Sequence, residues 1–128
     1  MPQSNPIETV NAWVSAANSQ DIERLVALSD PEIEVGGPRG SGRGSQLLRD
    51  WLGRAGLTLE TLRTFARDNT VVLEQRGVWR SLETGEVTGE RALASLFQVD
   101  GQRVMKFARF DTLEEALPAG ELSLVDAI

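Results

Sequence analysis

The main change in the spacing of apolar residues along the chain lies near residue 56, and it limits the possible folds more than any other feature. Before it, apolar residues recur three and four positions apart, which predicts helices that bury one face. After it, apolar and polar residues alternate, which predicts strands with one buried face. Helices followed by antiparallel strands are typical of an α+β domain, because the sheet must bury one face against the helices.

Three helices are predicted in the first part of the chain. The first has Asn5 as its cap, since Pro6 suits the first helical position. The second follows a break at residues 18–21 and ends before Pro31, because proline disfavours helix in the residue before it. The third ends at Gly56. The predicted helices start at Pro6, Ile22 and Ser45.

The predicted strands cover residues 32–35, 57–67, 70–82, 87–99 and 103–110. The last four form an antiparallel meander, because short turn sequences such as Asp100-Gly101 separate them. Residues 36–44 are rich in glycine and are predicted to be a loop. A short terminal helix starts at Thr112, and the tail from Pro118 is predicted to be a loosely held extension.

The length and the distribution of apolar residues predict one domain, residues 1–128, with a core at about 5–117 and a tail at 118–128. No apolar run approaches the roughly 20 residues of a membrane span, so the membrane is not an expected partner. The first residues lack the basic start and apolar core of a secretory signal. We therefore expect a cytoplasmic protein.

The residue types that are missing exclude several kinds of chemistry. The chain has no histidine, cysteine or tyrosine, which excludes zinc sites of imidazole or thiolate, disulfides and Ser-His-Asp arrangements. No calcium-loop spacing is present, so no metal and no cofactor is predicted. The net charge of −6 argues against nucleic acid as a partner. Acid–base chemistry would have to use Asp, Glu, Lys or water.

Three local motifs carry a family resemblance. They are the helix pair at residues 10–28, the Gly-Arg-Gly step at residues 42–44, and the closing hairpin at 97–101 with Arg-Phe-Asp at 109–111. Together with the order of elements over about 5–117, they resemble the nuclear transport factor 2-like superfamily. That superfamily includes ketosteroid isomerase, limonene-1,2-epoxide hydrolase and the SnoaL-like polyketide cyclases.

The resemblance implies a cystatin-like α+β fold. In it, a curved, mostly antiparallel sheet packs on three N-terminal helices and forms a cone-shaped barrel. It also implies an apolar pocket inside the cone, with a small apolar molecule as its ligand. A homodimer through the outer face of the sheet is the common assembly in the family.

The catalytic residues of the two enzymes are mostly absent from the matching positions. Where ketosteroid isomerase has its tyrosine and two aspartates, this chain has Trp13, Val35 and Ser95. Where limonene-1,2-epoxide hydrolase has its arginine, this chain has Arg76, but Val78 and Ala108 replace the two aspartates. An arginine alone cannot deprotonate water, so neither mechanism is predicted.

A charged cluster is the candidate catalytic site. If Val78 faces the cavity, strand alternation places Glu74 and Arg76 on the same face, and Ser95 brings Arg91 inward. Glu74 would then be the acid–base group and Arg76 would stabilise negative charge. The alternative is that these charged residues lie on the solvated face or form a structural ion pair.

Other candidate ligand contacts have equally ordinary alternatives. Trp13 and Trp51 would be flat walls of the pocket, or plain core residues. Trp79 follows Val78 directly in the predicted strand, so alternation assigns it to the opposite, outer face. Glu34 would reach the pocket mouth, or would be a solvated strand residue.

The loop at residues 36–44 carries Arg39 and Arg43, which could attract an anion or lie in a surface connection at the rim of the cone.

Two functions remain open. The first is a SnoaL-like pocket protein for a compact apolar ligand, either a binding protein or an isomerase, cyclase or hydrolase without the usual catalytic residues. The second is a non-catalytic homodimeric binding or assembly module. An interior filled by side chains would argue against a ligand. An open pocket with Glu74 and Arg76 within hydrogen-bonding reach would favour one.

Overall fold

The computed structural model describes residues 5–37 and 40–128. Within them, the helices are α1 (Pro6–Asn18), α2 (Ile22–Ala27), α3 (Ser45–Ala55) and α4 (Leu113–Ala119). The strands are β1 (Ser29–Gly37), β2 (Gly40–Arg43), β3 (Leu57–Arg67), β4 (Thr70–Arg80), β5 (Val87–Asp100) and β6 (Arg103–Phe110). No helix in this part of the chain is long and apolar enough to cross a bilayer.

The strands form one curved mixed sheet in the order β2-β1-β6-β5-β4-β3. Neighbouring strands are antiparallel except for β1 and β6, which run parallel. The α+β class predicted from the sequence is therefore confirmed. The sheet does not close into a barrel, because β2 and β3 are its two edges.

The glycine-rich segment at residues 36–44 was predicted to be a loop, and this is wrong for residues 36, 37 and 40–43. Residues 40–43 form β2, which pairs with β1 from Glu34↔Arg43 to Gly37↔Gly40. Backbone pairing needs no side chain, so a run of small residues can form a hairpin once a neighbouring strand is present. This hairpin extends the sheet at the β1 edge.

Local signals place several other boundaries where the sequence predicts them, but α2 ends earlier than predicted, at Ala27, and β1 is longer than the predicted strand at residues 32–35. The Asn5 side chain accepts a hydrogen bond from the backbone N–H of Ile7, at 2.9 Å, and caps α1. Thr112 caps α4 in the same way. Helix α3 ends at Gly56, which has φ of 50° and adopts the left-handed conformation that favours glycine.

The inner face of the sheet packs against α1, α2 and α3 in the main hydrophobic core. Trp13, Phe97 and Phe107 are buried at its centre, and their ring centroids lie 4.8–5.3 Å apart. The Trp13 indole N–H donates to the Ser29 hydroxyl at 2.9 Å. Side chains thus fill the deep interior, where the resemblance implied a pocket.

A second hydrophobic cluster lies on the outer face of the sheet, beneath α4. It includes Phe65, Val72, Leu96, Ala116, Leu117 and Leu122. Because this cluster covers the outer face and the main core covers the inner one, three successive residues at the start of β4 are buried. These are Val71, Val72 and Leu73.

The tail from Pro118 was predicted to be loosely held, and this is wrong. Leu122 is buried in the second cluster. Ala127 forms a β-bridge with Phe65, and the N–H of Ile128 donates to the Thr64 carbonyl at 2.9 Å. The tail follows the free edge of β3 and supplies hydrogen-bond partners there.

Candidate functional site

An open cleft of about 800 Å³ lies between the β1–β2 hairpin, α3 and the inner faces of β4 and β6. Its lining includes large apolar or aromatic side chains and one guanidinium. These come from Val35, Leu47, Trp51, Trp79, Phe107 and Arg109. Glycines of the hairpin complete one wall. The space is in the mouth of the cone, next to its filled interior.

Core residues hold the side chains at the floor of the cleft in position. The Trp51 ring stacks on Trp13, with centroids 6.0 Å apart and planes at 20°, and lies 5.3 Å from Phe107. Trp13 itself is fully buried. Of the two tryptophans predicted as walls, Trp51 reaches the cleft, whereas Trp13 supports it from inside.

Trp79 forms a wall of the cleft, so its predicted position on the outer face is wrong. Its ring extends over Gly77, two residues earlier on the same face of β4. A methyl group added at Gly77 would lie 3.2 Å from the ring and 2.7 Å from Leu93. Glycine at this position therefore leaves room for the indole and for Leu93.

Two arginines lie next to Trp79. Their guanidinium carbons are 5.8 Å (Arg91) and 5.7 Å (Arg109) from the centroid of its ring. Arg91 also donates to the Asp111 carboxylate at 2.9 Å. The aromatic wall of the cleft therefore lies beside two guanidinium groups, which the π electrons of the ring attract.

The predicted interior cluster does not form, because Glu74, Arg76 and Val78 lie on the outer face. Glu74 accepts from Arg63 at 2.7 Å. Arg76 pairs with two glutamates on neighbouring strands, Glu90 at 2.5 Å and Glu60 at 3.3 Å. A shift of one residue in the assumed alternation moves every side chain of a strand to the other face.

Hydrogen bonds from arginines also change the pKa values of Glu74 and Glu90. The hydrogen bond from Arg63 holds the pKa of Glu74 below its usual value, and Arg76 lowers the pKa of Glu90 in the same way. Glu74 is thus a stabilised anion. A general base that acts at neutral pH needs a pKa raised towards 7. Glu74 therefore forms a structural ion pair with Arg63, which was the alternative to a catalytic role.

We predict that Glu74→Gln makes stability less dependent on pH in the acid range. A carboxyl whose pKa is lowered on folding adds stability above its unfolded pKa, and that contribution is lost as pH falls through the folded value. Because the pair is partly exposed, the contribution at pH 7 is below about 1 kcal/mol. The free energy of unfolding, obtained from urea denaturation at pH 7, 5 and 3, measures this contribution.

In that experiment, the wild type should lose more unfolding free energy between pH 5 and pH 3 than the variant. Glu90→Gln should change the pH dependence in the same direction, since Arg76 lowers the pKa of Glu90. Equal losses in wild type and Glu74→Gln would show that the Arg63 pair does not carry this stability.

The remaining predicted ligand contacts divide between the two faces of the sheet. Val35 lines the cleft. Glu34 and Ala108 lie on the outer side, next to a smaller depression of about 380 Å³. Glu34 pairs there with Arg43 at 3.5 Å and with Lys106 at 3.4 Å. Arg39, the other predicted anion contact in this segment, lies outside the described residues.

Ser95 belongs to a polar chain, buried at Ser95 and Gln75, that sequence reasoning missed. Its hydroxyl donates to the Gln75 side-chain oxygen at 2.7 Å, and the Gln75 amide nitrogen donates to the Thr61 hydroxyl at 3.3 Å. Gln75 is fully buried. The sequence did carry a signal for the burial of Gln75, because strand alternation places it on the same face as Leu73 and Gly77.

The described lining of the cleft is mostly glycine, aliphatic and aromatic residues, with a few side-chain hydrogen-bond donors. Trp51 and Trp79 offer aromatic surface, Ser41 a hydroxyl and Arg109 a guanidinium. Among the described residues that line it, none is a carboxylate. This arrangement can enclose a flat apolar group and hydrogen-bond to an acceptor on it.

Known structures share this architecture. An NTF2-like protein of unknown function from Cytophaga hutchinsonii matches with a TM-score of 0.72 and 14% identity, over 89% of this chain and 96% of that one. A cystatin-fold protein from Novosphingobium aromaticivorans matches with a TM-score of 0.72 and 15% identity, over 84% and 98%.

A third match is a protein with a ketosteroid isomerase-like fold from Catenulispora acidiphila, solved in complex with trimethylamine. Its TM-score is 0.70 and its identity 15%, over 91% of this chain and 94% of that one. No protein-family model matches the chain, and no curated protein matches it by sequence. The chain therefore has the nuclear transport factor 2-like fold, and the resemblance read from its sequence is confirmed at the level of the fold.

Proposed function

We propose that this protein binds a compact, mainly apolar small molecule in the cleft between Trp51 and Trp79. The observation that carries the proposal is that two tryptophans from different layers of the fold, one on α3 and one on β4, line the same open space. Its volume of about 800 Å³ lies within the range of small-molecule sites, roughly 300–1,000 Å³. Such sites are mostly apolar, with a few placed polar groups.

The walls are held in place before any ligand arrives. Trp51 stacks on the fully buried Trp13, and the Trp79 ring extends over Gly77. A wall that is already ordered loses little conformational freedom on binding, so more of the contact energy contributes to affinity. The Catenulispora acidiphila neighbour, solved with a small molecule, supports the same kind of function.

The proposed function is binding in the mouth of the cone. The deep interior is filled by rings, which argues against a ligand there. Glu74 and Arg76 are on the outer face, so the proposal assigns them no role in the cleft. The homodimeric module stays a prediction from the resemblance. The homodimer would pair through the outer face of the sheet. On that face, ion pairs join Arg76 on β4 to Glu60 on β3 and to Glu90 on β5.

The proposal predicts that Trp79→Ala weakens the binding of N-phenyl-1-naphthylamine, a neutral fluorescent aromatic probe, by at least about tenfold, which corresponds to about 1.4 kcal/mol. Removing the indole takes away one wall and the apolar area that it buries against the probe. Fluorescence titration gives the dissociation constant for the wild type and the variant.

Val78→Ala is the matched control, because Val78 is the next residue of β4 and lies on the opposite face. It should leave the dissociation constant within about twofold, a change of less than about 0.5 kcal/mol. Absence of binding to the wild type, or equal weakening by both substitutions, would show that the cleft is not the binding site. Circular dichroism checks that each variant is folded.

A further inference from the structure

We infer that the β1–β2 hairpin makes the cleft selective for a flat ring system over a globular molecule of the same size, and that Gly37 is a specificity-determining residue. This inference rests on the proposed function, because it names the shape of the ligand for the same cleft. The observations behind it are the direction in which each described hairpin residue points and the space in front of it.

The hairpin presents different residues on its two sides. Partners in an antiparallel pair share a side, and successive residues of a strand alternate between sides. Val35 lines the cleft and therefore identifies the cleft side of the hairpin. The described residues on that side are Val35, its partner Gly42, and the pair Gly37 and Gly40. Three of these four described positions carry no side chain.

Contacts on the outer side agree with this alternation. Glu34, the residue before Val35, pairs with Arg43 at 3.5 Å. A Cβ built on Gly36 would lie 3.8 Å from the Cβ of Ala108, which belongs to the outer hydrophobic cluster. Because Gly36 points outwards, a side chain on the next residue, Gly37, would point towards the cleft.

The three glycines on the cleft side differ in what a side chain would meet. Gly40 has φ of 131°, a conformation that favours glycine. A Cβ built on Gly42 would lie 2.6 Å from a methyl group of Leu47. Gly37 has no positive φ, and a Cβ built on it meets no described atom within 4 Å. A side chain at Gly37 would therefore extend into the open space of the cleft.

Glycine at residue 37 weakens the hairpin without filling a structural need in the described part of the chain. Glycine inside a strand costs stability, and it often marks a place where a ligand or another backbone approaches closely. No described backbone atom lies within 4 Å of the Cβ position at Gly37. The approach of a ligand is the remaining explanation of this kind.

A wall of bare backbone favours one ligand shape. Because no side chain projects from the three glycines, a flat molecule can approach the hairpin over its whole face. Aromatic rings pack well against other flat rings, and those that line the same space belong to Trp51, Trp79 and Phe107. A globular molecule touches each wall over a smaller area, so it removes less apolar surface from water. The shape that fits is a flat fused ring system.

Two neutral ketones with the same numbers of carbon and oxygen atoms test the inference. They are 2-acetylnaphthalene, whose fused rings are flat, and 1-adamantyl methyl ketone, whose cage is globular. Isothermal titration calorimetry gives the dissociation constant of each. The wild type should bind the flat ketone at least about tenfold more tightly than the globular one, a difference of about 1.4 kcal/mol.

Gly37→Val should weaken binding of the flat ketone by at least about tenfold and change that of the globular ketone by less than about threefold. The branched side chain would occupy the space in which the flat ring lies against the hairpin. Gly37→Ala should weaken binding of the flat ketone by at least about threefold, and it provides the test if valine disturbs the hairpin. Circular dichroism checks that each variant is folded.

Gly36→Val is the matched control, because Gly36 is the preceding residue and points to the outer side. A Cβ there would lie 3.4 Å from Ser41 and 3.8 Å from Ala108, which are ordinary contact distances. The substitution should leave both dissociation constants within about twofold.

The inference is overturned if the wild type binds both ketones equally, if Gly37→Val weakens both alike, or if Gly36→Val and Gly37→Val have equal effects. It is also overturned if N-phenyl-1-naphthylamine binds but neither ketone does. In each of these cases the proposed function stands, provided that binding of that probe depends on Trp79. If neither the ketones nor the probe bind the wild type, the proposed function fails and the inference fails with it.

Discussion

Replacing Trp13 with alanine should lower the free energy of unfolding by about 3–5 kcal/mol, as removal of a large buried aromatic side chain usually does. Trp13 is fully buried, and its ring contacts Phe97, Phe107 and Trp51. The substitution leaves a cavity at the centre of the main core and removes the hydrogen bond to Ser29. Urea unfolding at pH 7 measures the loss.

Two further variants interpret the result. Trp13→Phe keeps most of the ring contacts but removes the indole N–H, so it should lose less stability than Trp13→Ala. Leu82→Ala changes an exposed side chain and should stay within about 0.5 kcal/mol of the wild type. A loss below about 1 kcal/mol for Trp13→Ala would contradict the central position that we assign to this ring.

Replacing Gly56 with alanine should lower the free energy of unfolding by about 2–4 kcal/mol, from two added effects. The residue has φ of 50°, a conformation that costs about 1–2 kcal/mol for a residue with a Cβ. The added methyl group would also overlap the carbonyl oxygen of Arg80. That contact is with backbone, so relief requires a shift of α3 against β4.

Gly85→Ala separates the two effects. Gly85 has φ of 75°, but a Cβ there meets nothing within 4 Å. It should therefore show the conformational cost alone, about 1–2 kcal/mol. Urea unfolding of both variants gives the difference, which measures the overlap at Gly56. Equal losses would mean that the Arg80 carbonyl moves aside without cost.

Several element boundaries could be predicted from the sequence because the signals for them are local. A cap such as Asn5 or Thr112 acts on backbone groups two or three residues away. Gly56 ends its helix through its own dihedral angles. Strand β2 could not be predicted in this way, because its backbone pairs with β1 and its residues carry no alternation of their own.

The faces of β4 were assigned on the condition that Val78, which matches a catalytic aspartate of the epoxide hydrolase, faces the cavity, and that condition is not met. Val71, Val72 and Leu73 are all buried, since α4 covers the outer face at this end of the strand. Apolar and polar residues therefore do not alternate where β4 begins. A better signal came later in the strand, where Glu74, Arg76 and Arg80 share one parity, as is typical of a solvated face.

The cleft depends on contacts that are far apart in the sequence. Val35 lines the same space as Phe107 because β1 runs parallel to β6, whereas the predicted meander contained antiparallel pairs only. Trp79 and Arg109 come together across β5. Apolar periodicity reports the buried face of one element at a time, so it could not identify these partners.

The second hydrophobic cluster has a consequence for how such proteins diverge. The central strands are packed on both faces, and most buried residues belong to them and to the helices that cover them. One rim of the cleft is instead an edge hairpin, in which residues 40, 41 and 43 are exposed. Substitutions in that rim can alter ligand preference while leaving the core intact, so selection can change what the molecule recognises without first having to restore its fold.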